Sequence, residues 1–98
     1  MSSTGIRHHW TESDDLVALY LHRFGLDHLA TTREAIAAHL GMTPAALNMR
    51  VANFKALDGA GGLGNYAEQS RRIHDRYHAT LEPDFRPLVL RALARSVA

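Results

Sequence analysis

The chain has no cysteine among its 98 residues. That single absence excludes a disulfide scaffold, a thiolate zinc site and a cysteine nucleophile. Long apolar runs are missing too. The longest, Leu16 to Leu21, falls far short of the roughly 20 residues that a membrane-crossing helix needs. The first ten residues are polar and basic and hold no apolar signal region, so a soluble cytoplasmic protein is the expectation. Net charge is almost absent, at +1 with seven histidines taken as neutral. Domains that bind nucleic acid are usually more basic, so charge permits such a partner without pointing to one. No strand-like alternation, internal repeat or low-complexity segment occurs. What remains is a hydrophobic fraction of 46% with 21% charged residues, the composition of one folded domain with a single core rather than of a disordered chain.

The most informative stretch runs from Thr31 to Leu57. Thr31 and Glu34 predict a capping box, each side chain covering an orphan backbone donor. Ala35 to Ala38 and Leu40 then carry a short helix that Gly41 ends, because glycine accepts the left-handed geometry of a helix stop. Met42 bridges the turn. Thr43 is a good N-cap and Pro44 suits the first helical position, where a missing N–H costs nothing. Leu47, Val51 and Phe54 follow at i, i+4 and i+7, one face of a second helix. Two short helices joined by a glycine-containing turn form the helix-turn-helix pattern.

The flanking segments predict more helix. Met1 to His9 reads as an arm, either frayed or able to carry Arg7 to a minor groove. Thr11 or Ser13 caps a helix whose first turn holds Glu12, Asp14 and Asp15 at the positive end of its dipole. Leu16, Leu19, Tyr20 and Phe24, widened by Val17 and Leu21, form its core stripe, and Gly25 stops it. Trp10 is expected to anchor this end into the core. Leu26 and Leu29 of the connector should dip inward.

The segment from Asp58 to Asn65 is a glycine-rich loop. Gly59, Gly61 and Gly64 satisfy the G-x-G-x-x-G spacing, but a dinucleotide site needs a strand before it, and a helix stands there instead. Asn65 and Glu68 open a fourth helix with Tyr66, Ser70, Ile73 and Tyr77 inward and Arg71, Arg72 and Arg76 outward. His74 and His78 have the i, i+4 spacing of two zinc ligands, with no third ligand at a recognisable distance. A last helix is expected from near Phe85 to about Ser96, with Pro87 in its first turn. Leu88, Val89, Ala92 and Leu93 should pack inward, and Arg86, Arg91 and Arg95 should stay out. The expected fold is an all-α domain of about five helices built on a tri-helical helix-turn-helix core at 11–57.

Projected at 100° per residue, the helix from Pro44 places Ala45, Met49, Ala52 and Ala56 opposite its core face. Asn48 and Lys55 flank that side, Ala46 and Asn53 the other, and Arg50 lies nearer the core edge, within reach of a phosphate or an acid. The outer face can be read two ways. Small residues let a helix sit deep in the major groove, with Ala or Met on a thymine methyl and Asn on adenine. A helix apolar on nearly all sides is equally the central helix of a bundle.

Trp10-Thr11-Glu12-Ser13-Asp14-Asp15-Leu16 resembles the opening of Myb/SANT-like helix-turn-helix domains. Ile36-Ala37-x-x-Leu40-Gly41 followed by Thr43-Pro44-Ala45-Ala46-Leu47-Asn48-Met49-Arg50-Val51-Ala52-Asn53-Phe54-x-x-Leu57-Asp58 is similar to the N-terminal region of bacterial HNH-type restriction endonucleases. Gly62-Leu63-Gly64-Asn65 and Arg71-Arg72-Ile73-x-x-x-Tyr77 extend the likeness, which spans residues 10 to 80. It implies a DNA-targeting module, linked to restriction-modification or to transcriptional regulation. The chain ends at Ala98 without a His-Asn-His constellation, so cleavage is not implied and no enzyme activity is expected. On this reading Ala45, Asn48, Met49 and Asn53 approach bases, while Arg7, Arg33, Thr43, Arg50 and Lys55 hold phosphates. The expected partner is double-stranded DNA, with homodimer formation through the amphipathic C-terminal helix as a further expectation. No membrane, metal or small-molecule cofactor is expected. The alternative is an all-helical interaction or dimerisation module that binds no DNA.

Overall fold

A computed structural model describes residues 10–59 and 68–95 of the chain. Among the described residues there are five helices and no strand: α1 Glu12–Phe24, α2 Arg33–Leu40, α3 Pro44–Leu57, α4 Glu68–Tyr77 and α5 Glu82–Arg95. The all-α expectation holds. Helix α1 is the centre of the packing, with α3, α4 and α5 all laid against it, and α2 rests on α3 and α5. None of the described helices is long and apolar enough to cross a membrane.

Local chemistry sets the helix ends. The Thr11 hydroxyl accepts from the Asp14 backbone N–H at 3.1 Å, and the Asp14 carboxylate accepts from the Thr11 N–H at 3.1 Å. This reciprocal box uses two donors that an α-helix otherwise leaves unpaired. Gly25 ends α1 with a positive φ of 69°. At the end of α2, Gly41 sits at φ 84°, ψ 27°, while Met42 N–H reaches the Ala37 carbonyl at 2.9 Å and Gly41 N–H the Ala38 carbonyl at 3.1 Å. That pair of bonds is the Schellman stop, which needs a left-handed residue where Gly41 stands. The Thr43 hydroxyl accepts from Ala46 N–H at 3.1 Å, and Pro44 takes the first position of α3.

Two boundaries differ from the sequence expectation. Thr32, not Thr31, caps α2, accepting from Ala35 N–H at 3.1 Å. Adjacent threonines can each cap, and burial of Ile36, Ala37 and Leu40 fixes the phase that selects the second. Helix α5 begins at Glu82 rather than near Phe85, so Pro83 occupies the first turn and Pro87 lies inside the helix. An interior proline removes the bond to the carbonyl four residues back. Here that carbonyl belongs to Pro83, and both prolines face solvent, where water can take the freed acceptor.

The core gathers Val17, Leu19, Tyr20 and Leu21 of α1, Ile36 and Leu40 of α2, Leu47 and Phe54 of α3, Ile73 of α4, and Phe85, Val89 and Ala92 of α5. Leu29 of the connector is buried with them, and Leu26 packs against the edge. Tyr20, Phe24 and Phe85 form a ring cluster with centroids 5.1–6.1 Å apart. The Tyr20 hydroxyl donates to Glu82 at 2.6 Å, and Arg86 clasps the same carboxylate through Nε at 2.7 Å and a terminal nitrogen at 2.6 Å. Burial, then the bond to Glu82, pushes the Tyr20 hydroxyl up to about 12. The Arg86 bonds hold Glu82 down at about 2.

Candidate nucleic-acid interface

Helix α3 is pinned at three points. Leu47 and Phe54 are fully buried, which turns the opposite side of the helix outward. Arg50 supplies the lateral pin: its Nε donates to one oxygen of Asp15 at 2.6 Å and a terminal nitrogen to the other at 3.0 Å. Asp15 is wholly buried, and it also accepts from Ser70 at 2.9 Å and Gln69 at 2.6 Å. A buried charge is tolerated only when paired and hydrogen-bonded, and four donors meet that need. The Arg50 guanidinium lies 4.3 Å from the centre of the Trp10 ring. At the C-terminal end, Asp58 caps α3 while His22 of α1 and His74 of α4 each engage one of its oxygens. Burial raises the Asp58 carboxyl, but the bonds from His74 and His22 outweigh that and leave it below its ordinary value.

These pins bear on one assignment. Arg50, expected within reach of a phosphate or an acid and assigned to a phosphate, engages an acid, Asp15, through two donors of its guanidinium. Ala56, expected on the outer face, is buried, since α4 crosses this end of α3 and brings His74 to Asp58. Trp10 is half-buried rather than sunk in the core.

The rest of the expected face is assembled on one surface. Ala45, Asn48 and Ala52 are exposed and Asn53 is half-buried. Met49 is 73% exposed, so none of the described helices seals the apolar strip. Arg33 of α2 donates to the Asn48 side chain at 2.8 Å, a bond that brings one cation beside the face and orients the amide. Lys55 is exposed in the last turn of the helix, and Thr43 is exposed with its hydroxyl oxygen used in the cap. Arg7 and residues 60–65 of the glycine-rich loop lie outside the described residues, as does Tyr66. Helix α3 carries Arg50 and Lys55 and no carboxylate.

Helix α4 adds exposed Arg71, Arg72 and Arg76. His74 and His78 stack with ring centres 5.3 Å apart. Among the described residues no group of three or more His, Cys, Asp or Glu side chains is placed to hold a metal ion. Sequence pattern did not find the Trp10–Arg50–Asp15–Gln69 assembly, whose members share no short motif. Comparison of the chain with protein-family models, with curated proteins and with solved structures finds no match.

Proposed function

We infer that the chain binds double-stranded DNA by laying the outer face of α3 in the major groove, and that it acts by binding rather than by catalysis. The observation that carries this reading is the exposure of Met49 at 73% in the middle of a helix whose Leu47 and Phe54 are fully buried on the other side. A helix free along one side, with small residues at Ala45 and Ala52, can approach base edges closely. Asn48 and Asn53 supply amides of the kind that read adenine, and Arg33, Lys55 and Thr43 flank them as backbone contacts. Arg7 would join these from the N-terminal arm. Such a domain suits the targeting part of a restriction-modification system or a transcriptional regulator.

A protein-interaction module is the second reading. It is favoured by a groove of about 440 Å³ between α2 and α5, lined by Leu29, Ile36, Leu90 and Leu93 among others, beside Leu90 at 50% exposure. A polarisation titration with labelled random duplex separates the two. Three cations on phosphates, Arg33, Lys55 and Arg7, imply about a fortyfold loss of affinity between roughly 50 and 200 mM salt, from a slope near −0.9 per contact. Met49→Glu should abolish binding without unfolding an exposed site. Lys55→Ala should weaken all sequences alike, whereas Asn48→Ala and Asn53→Ala should flatten sequence preference. No binding at either salt, with a dimer by light scattering, would overturn the DNA reading in favour of the second.

A further inference from the structure

The open face of α3 is notched. Trp10, Ala46, Met49, Arg50 and Asn53 line a hollow of about 250 Å³ where the start of α1 meets the middle of α3. Its walls are largely carbon: the Trp10 indole, the Ala46 methyl and the Met49 thioether. Arg50 also lines it, with its guanidinium against the Trp10 ring and two of its donors, Nε and one terminal nitrogen, on the buried Asp15 carboxylate. One neutral amide, Asn53, stands in the same wall. The hollow is braced from beneath, since the Gln69 side chain donates to the Trp10 carbonyl at 2.9 Å and to Asp15 at 2.6 Å.

An apolar hollow beside a single amide matches one edge of duplex DNA. In the major groove a T·A pair presents the thymine C5-methyl next to the adenine N7 acceptor and N6 donor, and an Asn amide bonds those two adenine atoms bidentately. An unmodified G·C pair offers the groove its polar atoms and no methyl. The charge of the helix fits the same partner: α3 carries no carboxylate, so nothing on it repels the phosphates beside the groove.

We propose that this notch takes a pyrimidine C5-methyl group, seated on Trp10, Ala46 and Met49, while Asn53 reads the base pair that bears it. The proposal rests on α3 entering the major groove and adds what that face recognises. Thymine and 5-methylcytosine both carry the group.

Selection from a random duplex pool supplies a bound sequence, which is then remade with uracil for each thymine in turn. Loss of one buried methyl should weaken binding about fourfold at one position and leave the others unchanged. In Met49→Ala, whose site is exposed and not needed for folding, that difference should shrink towards none. Placing 5-methylcytosine against guanine at the responsive position separates the sources: recovery over plain cytosine marks the methyl itself as the recognised group, and no recovery marks thymine with its adenine partner. Equal affinity for thymine and uracil at every position of a duplex that still binds would overturn the notch while leaving major-groove docking intact. Failure to recover any bound duplex would overturn both.

Discussion

Arg50→Ala is the sharpest test of how α3 is held. The substitution removes two of the four donors on Asp15, a carboxylate with no solvent exposure. Deleting one partner of a buried ion pair costs about 3–5 kcal/mol, because the remaining charge stays desolvated. Ser70 and Gln69 still donate to Asp15, which places the loss near the lower bound, at about 3 kcal/mol. A domain with total stability of about 5–15 kcal/mol should register this plainly. With a urea m-value of about 1–3 kcal/mol/M, the unfolding midpoint should fall by about 1–3 M with the slope unchanged. Asp15→Ala should cost less, since the Arg50 side chain keeps 12% exposure and can turn towards water. Urea titration followed by far-ultraviolet circular dichroism measures both. A loss within about 0.5 kcal/mol for Arg50→Ala, the range of an ordinary surface substitution, would refute the pin. The same variant separates two roles on DNA: a lost phosphate contact lowers the salt slope by about 0.9, whereas a lost internal pin leaves it unchanged.

Three further outcomes follow from the fold. Glu82 is held at about 2 by Arg86 and, in smaller part, by Tyr20, below an unfolded value near 4.3. A depressed carboxylate stabilises above its unfolded value, so this contribution should fade as pH drops below about 4.3 and vanish near 2; Glu82→Gln should flatten that limb of a midpoint-against-pH curve. Tyr20 is shifted the other way, to about 12, so its contribution is complete below pH 10 and lost as pH rises towards 12, a decline that Tyr20→Phe should remove. Gly41→Ala forces a side chain into φ 84° and should cost about 1–2 kcal/mol in the urea midpoint, although no atom crowds the added Cβ.

The elements that could be read from the sequence are those whose cause is local. Thr43, Gly25 and Gly41 fix helix ends through their own side chains or backbone freedom where expected, and Thr11 is the one of the two expected candidates, Thr11 and Ser13, that caps α1. The elements that escaped depend on what another part of the chain brings. Thr31 and Thr32 present the same hydroxyl one residue apart, and only the burial of Ile36 and Leu40 chooses between them. Pro87 looks like a first-turn residue until its helix is seen to carry both prolines on the solvent side. Asp15 reads as a helix-dipole acid beside Asp14, yet Arg50, 35 positions away, makes it the base of a polar cluster. No periodicity within α1 or α3 encodes that pairing.

Arg50 also resolves the ambiguity of α3 itself. A helix with alanine, methionine and valine around most of its circumference has a weak apolar preference for any one face, so periodicity leaves its rotation poorly determined. Polar pins are stricter than apolar ones, because a bidentate ion pair tolerates little rotation before both bonds fail. With Arg50 locked to Asp15 and Asp58 held by His22 and His74, the helix cannot roll Met49 towards the core. The 100° step between neighbours then turns Met49 away from the Asp15 side and out to solvent. The strip of small residues is therefore open because the Asp15–Arg50 pair and the burial of Leu47 and Phe54 fix the same rotation. Asp15→Ala and Arg50→Ala should accordingly blunt any binding surface centred on Met49, although Asp15 is wholly buried.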